Sequence, residues 1–270
     1  MENHTQLYVQ PIIALPYTIL IGLLAMSNLS RLLHSRMQLT LMLCVTFVRV
    51  TLALGIIHRG LSHDAFVPKT KRATVCLFIA ACLAHQGDPY QWAVIHGHHH
   101  RFCDTDKDPH SPTVMGVIPA AIAPAVYRAQ TLRPLKPLRF FQLLTTSELY
   151  RLRNCVYLIQ TMEPLLVWYM FGLHTAGVAI TSSFFSVLSV FSFNVLFHFS
   201  PCVTQCKADS ALTMLYAPFS YLARSVVFLF GEDDHDDHHK HPRRLIRSDF
   251  DLTYFLLIKP LMYFQCVESC

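Results

Sequence analysis

Three histidine clusters recur along this 270-residue chain. They read His58-Arg-Gly-Leu-Ser-His63, His96-Gly-His-His99-His100 and His235-Asp-Asp-His238-His239, that is HxxxxH, HxxHH and HxxHH. A fourth element, Asn194-Val-Leu-Phe-His198, lies between the last two. The neutral imidazole nitrogen is a ligand for iron, zinc and copper. Nine histidines from four segments exceed what one ion takes, and they suit two ions that keep open positions for small ligands. The pattern predicts a dinuclear metal site.

On an α-helix, residues at i, i+3 and i+4 share one face. Each HxxHH therefore aims three imidazoles at one point, and Asn194 and His198 share a face in the same way. His98 stands roughly 200° round the helix from His96 and is left out of the ligand set. The i, i+5 spacing of His58 and His63 does not superpose on a regular helix, so this pair belongs where a helix ends and the chain turns. An affinity tag would be terminal and would not run into structured acidic sequence.

The elements that must position these residues are apolar. Hydrophobic residues make up 53% of the chain and charged residues 14%, well off the soluble norm. Four stretches are candidates to cross a bilayer core of about 30 Å. They are approximately Ile12 to Met26, Leu39 to Ile57, Tyr157 to Phe171 and Val178 to Phe197. The last two form a hairpin with its turn near His174, Thr175 and Gly177. Arg49 interrupts the second, and either snorkels to the interface or pairs inside the bundle. The composition thus points to an all-α membrane protein, one domain over residues 1–270, with four transmembrane helices.

Orientation follows from the basic residues. No Lys or Arg precedes Met26, twelve lie between Ile57 and Arg153, and seven follow Phe199. The positive-inside rule puts residues 58–153 and 198–270, and both termini, in the cytoplasm. The net charge of +5 is then a topology signal and gives no reason to expect nucleic acid. The N-terminus lacks a basic n-region and a small-residue cleavage site, which predicts no cleaved signal peptide. The pairs Cys202/Cys206 and Cys266/Cys270 fall on the reducing side, where free thiols are the rule.

Further motifs surround the clusters. Gln86-Gly-Asp-Pro-Tyr-Gln-Trp92 precedes the second, Asp104-Thr-Asp106-Lys-Asp108-Pro-His110-Ser-Pro follows it, Gly231-Glu232 precedes the third, and Asp251-Leu-Thr-Tyr254 closes the pattern. With these motifs the chain resembles the membrane-bound fatty acyl desaturases of the delta-9, stearoyl-CoA desaturase type over roughly Gly55 to Met262. The resemblance implies a mushroom-shaped fold whose cytosolic helical cap covers a diiron centre that uses O2 to place a cis double bond in a saturated acyl chain. His58, His63, His96, His99, His100, His198, His235, His238 and His239 match the family's ligands. Asn194 matches the residue that reaches one iron through water. Gln86 and Trp92 match positions at the bend of the substrate tunnel. Asp104, Asp106, Asp108, Glu232 and His110 are candidates to orient the ligating rings through their second nitrogen.

The implied partners are fatty acyl-CoA or an acyl lipid, membrane lipid, and a separate electron donor, cytochrome b5 or ferredoxin, since the chain has no His-Pro-Gly-Gly. The basic stretch Arg128 to Arg153 is a candidate docking face. The membrane would be the endoplasmic reticulum in a eukaryote and the inner membrane in a bacterium. Three departures stand out. Gly97 replaces the usual Arg of the second cluster, Val190 replaces a Thr, and Asp236 and Asp237 fill the third cluster. The missing Arg gives weight to a lipid carrier over CoA. A lipid hydroxylase or alkane monooxygenase of the same histidine superfamily is the competing enzyme reading. A His-rich metal transporter competes from another class, but transporters place polar ligands at mid-bilayer, where these stretches have few.

Overall fold

The computed structural model describes residues 10–120, 132–199 and 218–270, except 220, 223, 224, 226, 233 and 234. Helix α1 spans Gln10–Leu33 and α2 spans Arg36–Leu52, the latter running on into a π-helix, Ala53–Ser62. Strand β1 (Phe66–Pro68), α3 (Lys71–Cys82), α4 (Pro89–Phe102) and the single turn α5 (Pro112–Met115) follow. After Arg133 come α6 (Thr146–Asn154), α7 (Val156–Phe171) and α8 (Leu173–Phe191). The described C-terminal part holds α9 (His235–Lys240), a π-turn at Tyr254–Ile258, α10 (Lys259–Tyr263) and strand β2 (Val267–Ser269).

Among the described residues, two helices are long and apolar enough to cross a membrane by length and composition, Arg36–Ser62 and Leu173–Phe191. Helix α8 is the hub of the apolar bundle and packs on α1, α2 and α7. Its inward face is built from Ala176, Gly177, Ala179, Ser182, Ser183 and Ser186, all buried. Small residues let helices approach closely where no water drives them together. The outward faces carry exposed Leu20, Leu23, Leu43, Leu165, Leu166 and Leu188, an apolar belt of the kind that marks an interaction surface.

Two expectations need correcting. The turn between the last two long helices is at Gly172, whose φ of +84° suits a residue without Cβ. His174, Thr175 and Gly177 lie inside α8. The end of that hairpin is also not a regular α-helix: Ser192–Leu196 is π-helical and Phe197–Phe199 is 3-10. The i, i+4 argument for Asn194 and His198 therefore does not apply as written.

Of the two alternatives for Arg49, pairing wins. Its Nη2 lies 3.0 Å from Glu163 Oε1, its Nε donates to Ser182 Oγ at 3.0 Å, and its Nη1 donates to the Leu83 carbonyl at 2.7 Å. The pair ties α2 to α7 and α8. Removing one partner leaves the other charge buried, which costs on the order of 3–5 kcal/mol. Arg49→Met should lower the thermal midpoint of detergent-solubilised protein sharply, and Arg49→Met with Glu163→Met should recover most of the loss. Equal losses in the single and double variants would show that the ion pair does not hold the bundle.

Candidate metal centre

The first cluster solves its spacing with a backbone the sequence reading did not consider. A π-helix bonds i to i+5, and its wider winding brings residues five apart closer to one face than an α-helix does; Ala53–Ser62 adopts this form with His63 at its end. The helix does stop at the cluster, as the spacing requires, but the rings are aligned by helical winding as well as by the turn. Gly60 permits the close seating of β1, since a Cβ there would meet Phe66 Cζ at 2.8 Å. Strand β1 pairs antiparallel with β2, Val67 opposite Glu268, and buries Phe66 and Val67 under the histidines. The second cluster rides on α4, whose start is fixed by Asp88 accepting from the Tyr90 amide, with Pro89 next.

Two donor groups result. His58, His63, His96, His100 and His238 bring ring nitrogens within 4.8 Å of one another, and ring nitrogens of His99, His198 and His239 meet the Cys103 Sγ within the same distance. In the first group the Nε2 atoms face each other: His58 to His238 at 3.0 Å, His238 to His100 at 2.9 Å, His100 to His96 and His96 to His63 at 3.1 Å each. One Nε2–H on His100 cannot point at both neighbours, so hydrogen bonding alone does not satisfy this ring of rings. Around an ion with metal–nitrogen bonds of about 2.0–2.1 Å, nitrogens at right angles stand roughly 2.9–3.0 Å apart. The donor set fits an ion. In the second group the buried Nε2 of His99 has no hydrogen-bond partner among the described residues, the state of a lone pair awaiting a Lewis acid.

Carboxylates set the tautomers. His99 Nδ1 donates to Asp108 Oδ2 at 2.8 Å and His198 Nδ1 donates to Asp104 Oδ2 at 3.0 Å, so in both rings Nε2 is the nitrogen that carries the lone pair. Glu232 Oε1 lies 3.4 Å from His58 Nδ1. Asp106 is exposed, and His110 stacks by its ring on His99 at 4.4 Å. Behind His58 sits Arg59, fully buried, which donates to Glu232 Oε1 at 3.0 Å, Asp251 Oδ2 at 2.7 Å, and the carbonyls of Phe230 (2.7 Å) and Leu245 (2.9 Å). Arg247 also pairs with Glu232. Gly231, at φ +70°, makes room for this junction, since a Cβ there would meet Asp251 Cγ at 2.7 Å.

His98 turns away from both groups and contacts the Arg133 carbonyl at 2.9 Å. Asn194 and His235 lie on described helices, but their side chains fall outside the described residues. Trp92 stacks on His96 at 4.7 Å, and Gln86 donates to Ser186 Oγ at 3.1 Å on α8. Cys103, Arg59 and Arg247 were missed from sequence. Cys103 stands at i+4 from His99, the same signal that selected the histidines. The two arginines carry no local signal, because their partners are distant in the chain.

Burial keeps the imidazoles neutral. His63, His96, His100 and His238 are all pushed well below the usual histidine range by desolvation, with neighbouring rings adding to it and Arg247 acting on His238. Desolvation likewise takes His110 down to about 3. Glu232 would be raised by burial, but Arg247, His58 and Arg59 outweigh that and hold it ionised. A group whose pKa is depressed in the fold contributes stability that is present above its unfolded value and is lost as pH falls. Metal-free protein should therefore lose thermal stability as pH drops from about 6.5 toward about 3. His96→Gln should make that slope shallower. A stability profile flat across this window would show that these rings are not buried together.

The fatty acid desaturase family model matches residues 37–246 of the chain. The delta-9 acyl-lipid desaturase 2 of Arabidopsis thaliana is 47% identical over 75 residues, 26% of this chain and 24% of that protein. The palmitoyl-monogalactosyldiacylglycerol delta-7 desaturase of Arabidopsis thaliana is 48% identical over 67 residues, 23% and 18% of the two chains. The icosanoyl-CoA 5-desaturase of Limnanthes douglasii is 41% identical over 78 residues, 26% and 21%. The matched stretches thus span less than a quarter of these relatives' lengths. With the family model covering most of the sequence, including all four histidine-bearing segments, the chain belongs to the fatty acid desaturase family and is similar to its delta-9-type members.

Proposed function

We propose that this chain is an O2-dependent fatty acyl desaturase that places a cis double bond, of delta-9 type, in a saturated acyl chain carried by CoA or by a membrane lipid. The observation that carries the reading is the pair of adjacent buried donor groups, one of five imidazoles and one of three imidazoles with a thiol. His58, His63, His96, His100 and His238 would hold one iron, and His99, His198, His239 and, with its side chain undescribed, His235 the other; Asn194 would reach the second through water. When bound, the two irons supply the oxidising power that removes two hydrogens from adjacent carbons with O2 as co-substrate.

The protein's own part is positioning. Asp108 and Asp104 fix the rings of His99 and His198, and the Arg59 junction fixes His58. Trp92, 7% exposed and stacked on His96, closes a dry wall where an acyl chain would lie. Gln86 bridges the start of α4 to Ser186 at the same depth. We read α1, α2, α7 and α8 as four spans of one membrane domain, residues 1–270, with the histidine-bearing segments on the cytosolic side. Their exposed apolar belt supports this. Arg133, Lys136, Arg139 and Arg151 are exposed and present a basic face to a separate donor, cytochrome b5 or ferredoxin. Arg153 is not free for that role, because it is buried on Asp88 at 2.7 Å.

Expression in a desaturase-deficient host, read by mass spectrometry of the fatty acids, tests the reaction. Products two hydrogens lighter support it, while products one oxygen heavier would assign a hydroxylase. Purified protein should hold two metal ions, and Asp108→Asn should weaken metal binding about 10- to 100-fold by freeing the His99 ring. Unchanged metal affinity would mean that Asp108 does not orient a ligand.

Gly97 bears on the carrier. A Cβ built there meets nothing within 4 Å, so a side chain can leave the backbone at this position without a clash. One charge-assisted hydrogen bond is worth about 1.5–3 kcal/mol, or roughly tenfold to a hundredfold in affinity. Gly97→Arg should tighten acyl-CoA binding by that factor and leave the double-bond position unchanged. No gain in the measured Kd would mean that the head group is held elsewhere or that CoA is not the carrier.

A further inference from the structure

Helix α4 ends at Phe102, and the chain reverses at Cys103 (φ −38°, ψ 122°) and Asp104 (φ +55°). The reversal folds Cys103 back under its own helix, where its Sγ lies within 4.8 Å of donor nitrogens of His99, His198 and His239. The carboxylates of Asp104 and Asp108 lie within the same distance of the sulfur, and each already orients a histidine. Asp108 accepts from His99 Nδ1 and from the Asp104 amide at 2.9 Å, and Asp104 accepts from His198 Nδ1 and from Ser111 and Thr113. In the same group, His99 Nε2 is buried and has no hydrogen-bond partner among the described residues, and the ring is only 1% exposed. An unpaired lone pair and a thiol thus belong to one cluster of donor atoms.

We propose that Cys103 is a sulfur ligand of the second metal position, so that the two ions sit in unlike shells, one of imidazoles alone and one of imidazoles with a thiolate. The inference rests on the dimetal reading above. Binding breaks the S–H bond and forms a metal–sulfur bond, the proton leaving to solvent, with no change of oxidation state. The thiolate brings a negative charge to a group whose described nitrogen donors are all neutral. It biases that position toward thiophilic ions such as zinc, and makes the two positions separable by metal competition.

The test is X-ray absorption on the purified full chain loaded with zinc, with metal content measured in parallel. Wild-type protein should show nitrogen scatterers at about 2.0–2.1 Å and a sulfur at about 2.3 Å, averaging about half a sulfur per ion when two ions are bound. Cys103→Ser should lose the sulfur shell while keeping the nitrogen shell, and wild-type Cys103 should be protected by zinc from alkylation in peptide mass maps. Two ions with nitrogen scatterers alone in the wild type would overturn the proposal and leave the dimetal reading standing. A sulfur shell that persists in Cys103→Ser would assign it to another cysteine and also overturn it. Failure to bind any metal would overturn both.

Discussion

A guanidinium wholly sealed from water, Arg59, is the point on which the site hangs. It sits one residue after His58 and spends its donors on Glu232, Asp251 and two backbone carbonyls. Those acceptors lie 171 to 192 residues away in the chain. Breaking a buried pair of this kind is costly because the partner charge is left unsolvated, so the junction acts as a lock. With it closed, the π-helix, the segment before the third histidine cluster and the closing π-turn are one body, and His58 and His238 meet at 3.0 Å. The carboxylate that receives Arg59 also faces the His58 ring, so the link between fold and chemistry is one side chain long.

Much of this was legible in the residues because helical phase is local information. The HxxHH spacing sets His96, His99 and His100 apart from His98 on α4, as the rings lie, but the three do not meet at one point: His96 and His100 join the first donor group and His99 the second. The carboxylates Asp104 and Asp108 were visible as neighbours of the second cluster, and each bonds a histidine ring, Asp108 that of His99 nearby and Asp104 that of the distant His198. Helical phase failed where the helix is not α. The π-helix at Ala53–Ser62 and the π and 3-10 turns at Ser192–Phe199 change the angle per residue, and no propensity in Ala-Leu-Gly-Ile-Ile or Ser-Phe-Asn announces it. Long-range partners were illegible for a different reason. Nothing near Arg49 in sequence names Glu163, and nothing near Arg59 names Asp251; only packing does.

The bundle and the donor groups solve opposite problems with the same side-chain economy. In the bundle, Ala, Gly and Ser on α8 bring backbones close and leave one charged pair, Arg49–Glu163, neutralised inside. Around the histidines, large groups converge instead, and neutrality is achieved by desolvation of the imidazoles. Anionic oxygen is held one step back, on Nδ1, where it orients rings without competing for an ion. Both regions are low in dielectric, and in both each charge has a named opposite.

The donor atoms of the first group come from positions 58 and 238, 180 residues apart. Such a contact closes a very long loop and belongs to the late events of folding. While the chain is being made, four of the five rings, His58, His63, His96 and His100, are already present and lack only the fifth. Until the segment bearing His238 arrives and Glu232 reaches Arg59, those imidazoles form an open and incomplete claw. Completion of the donor group is thus tied to completion of the polypeptide, and a ribosome that stalls before the third cluster leaves that group unassembled.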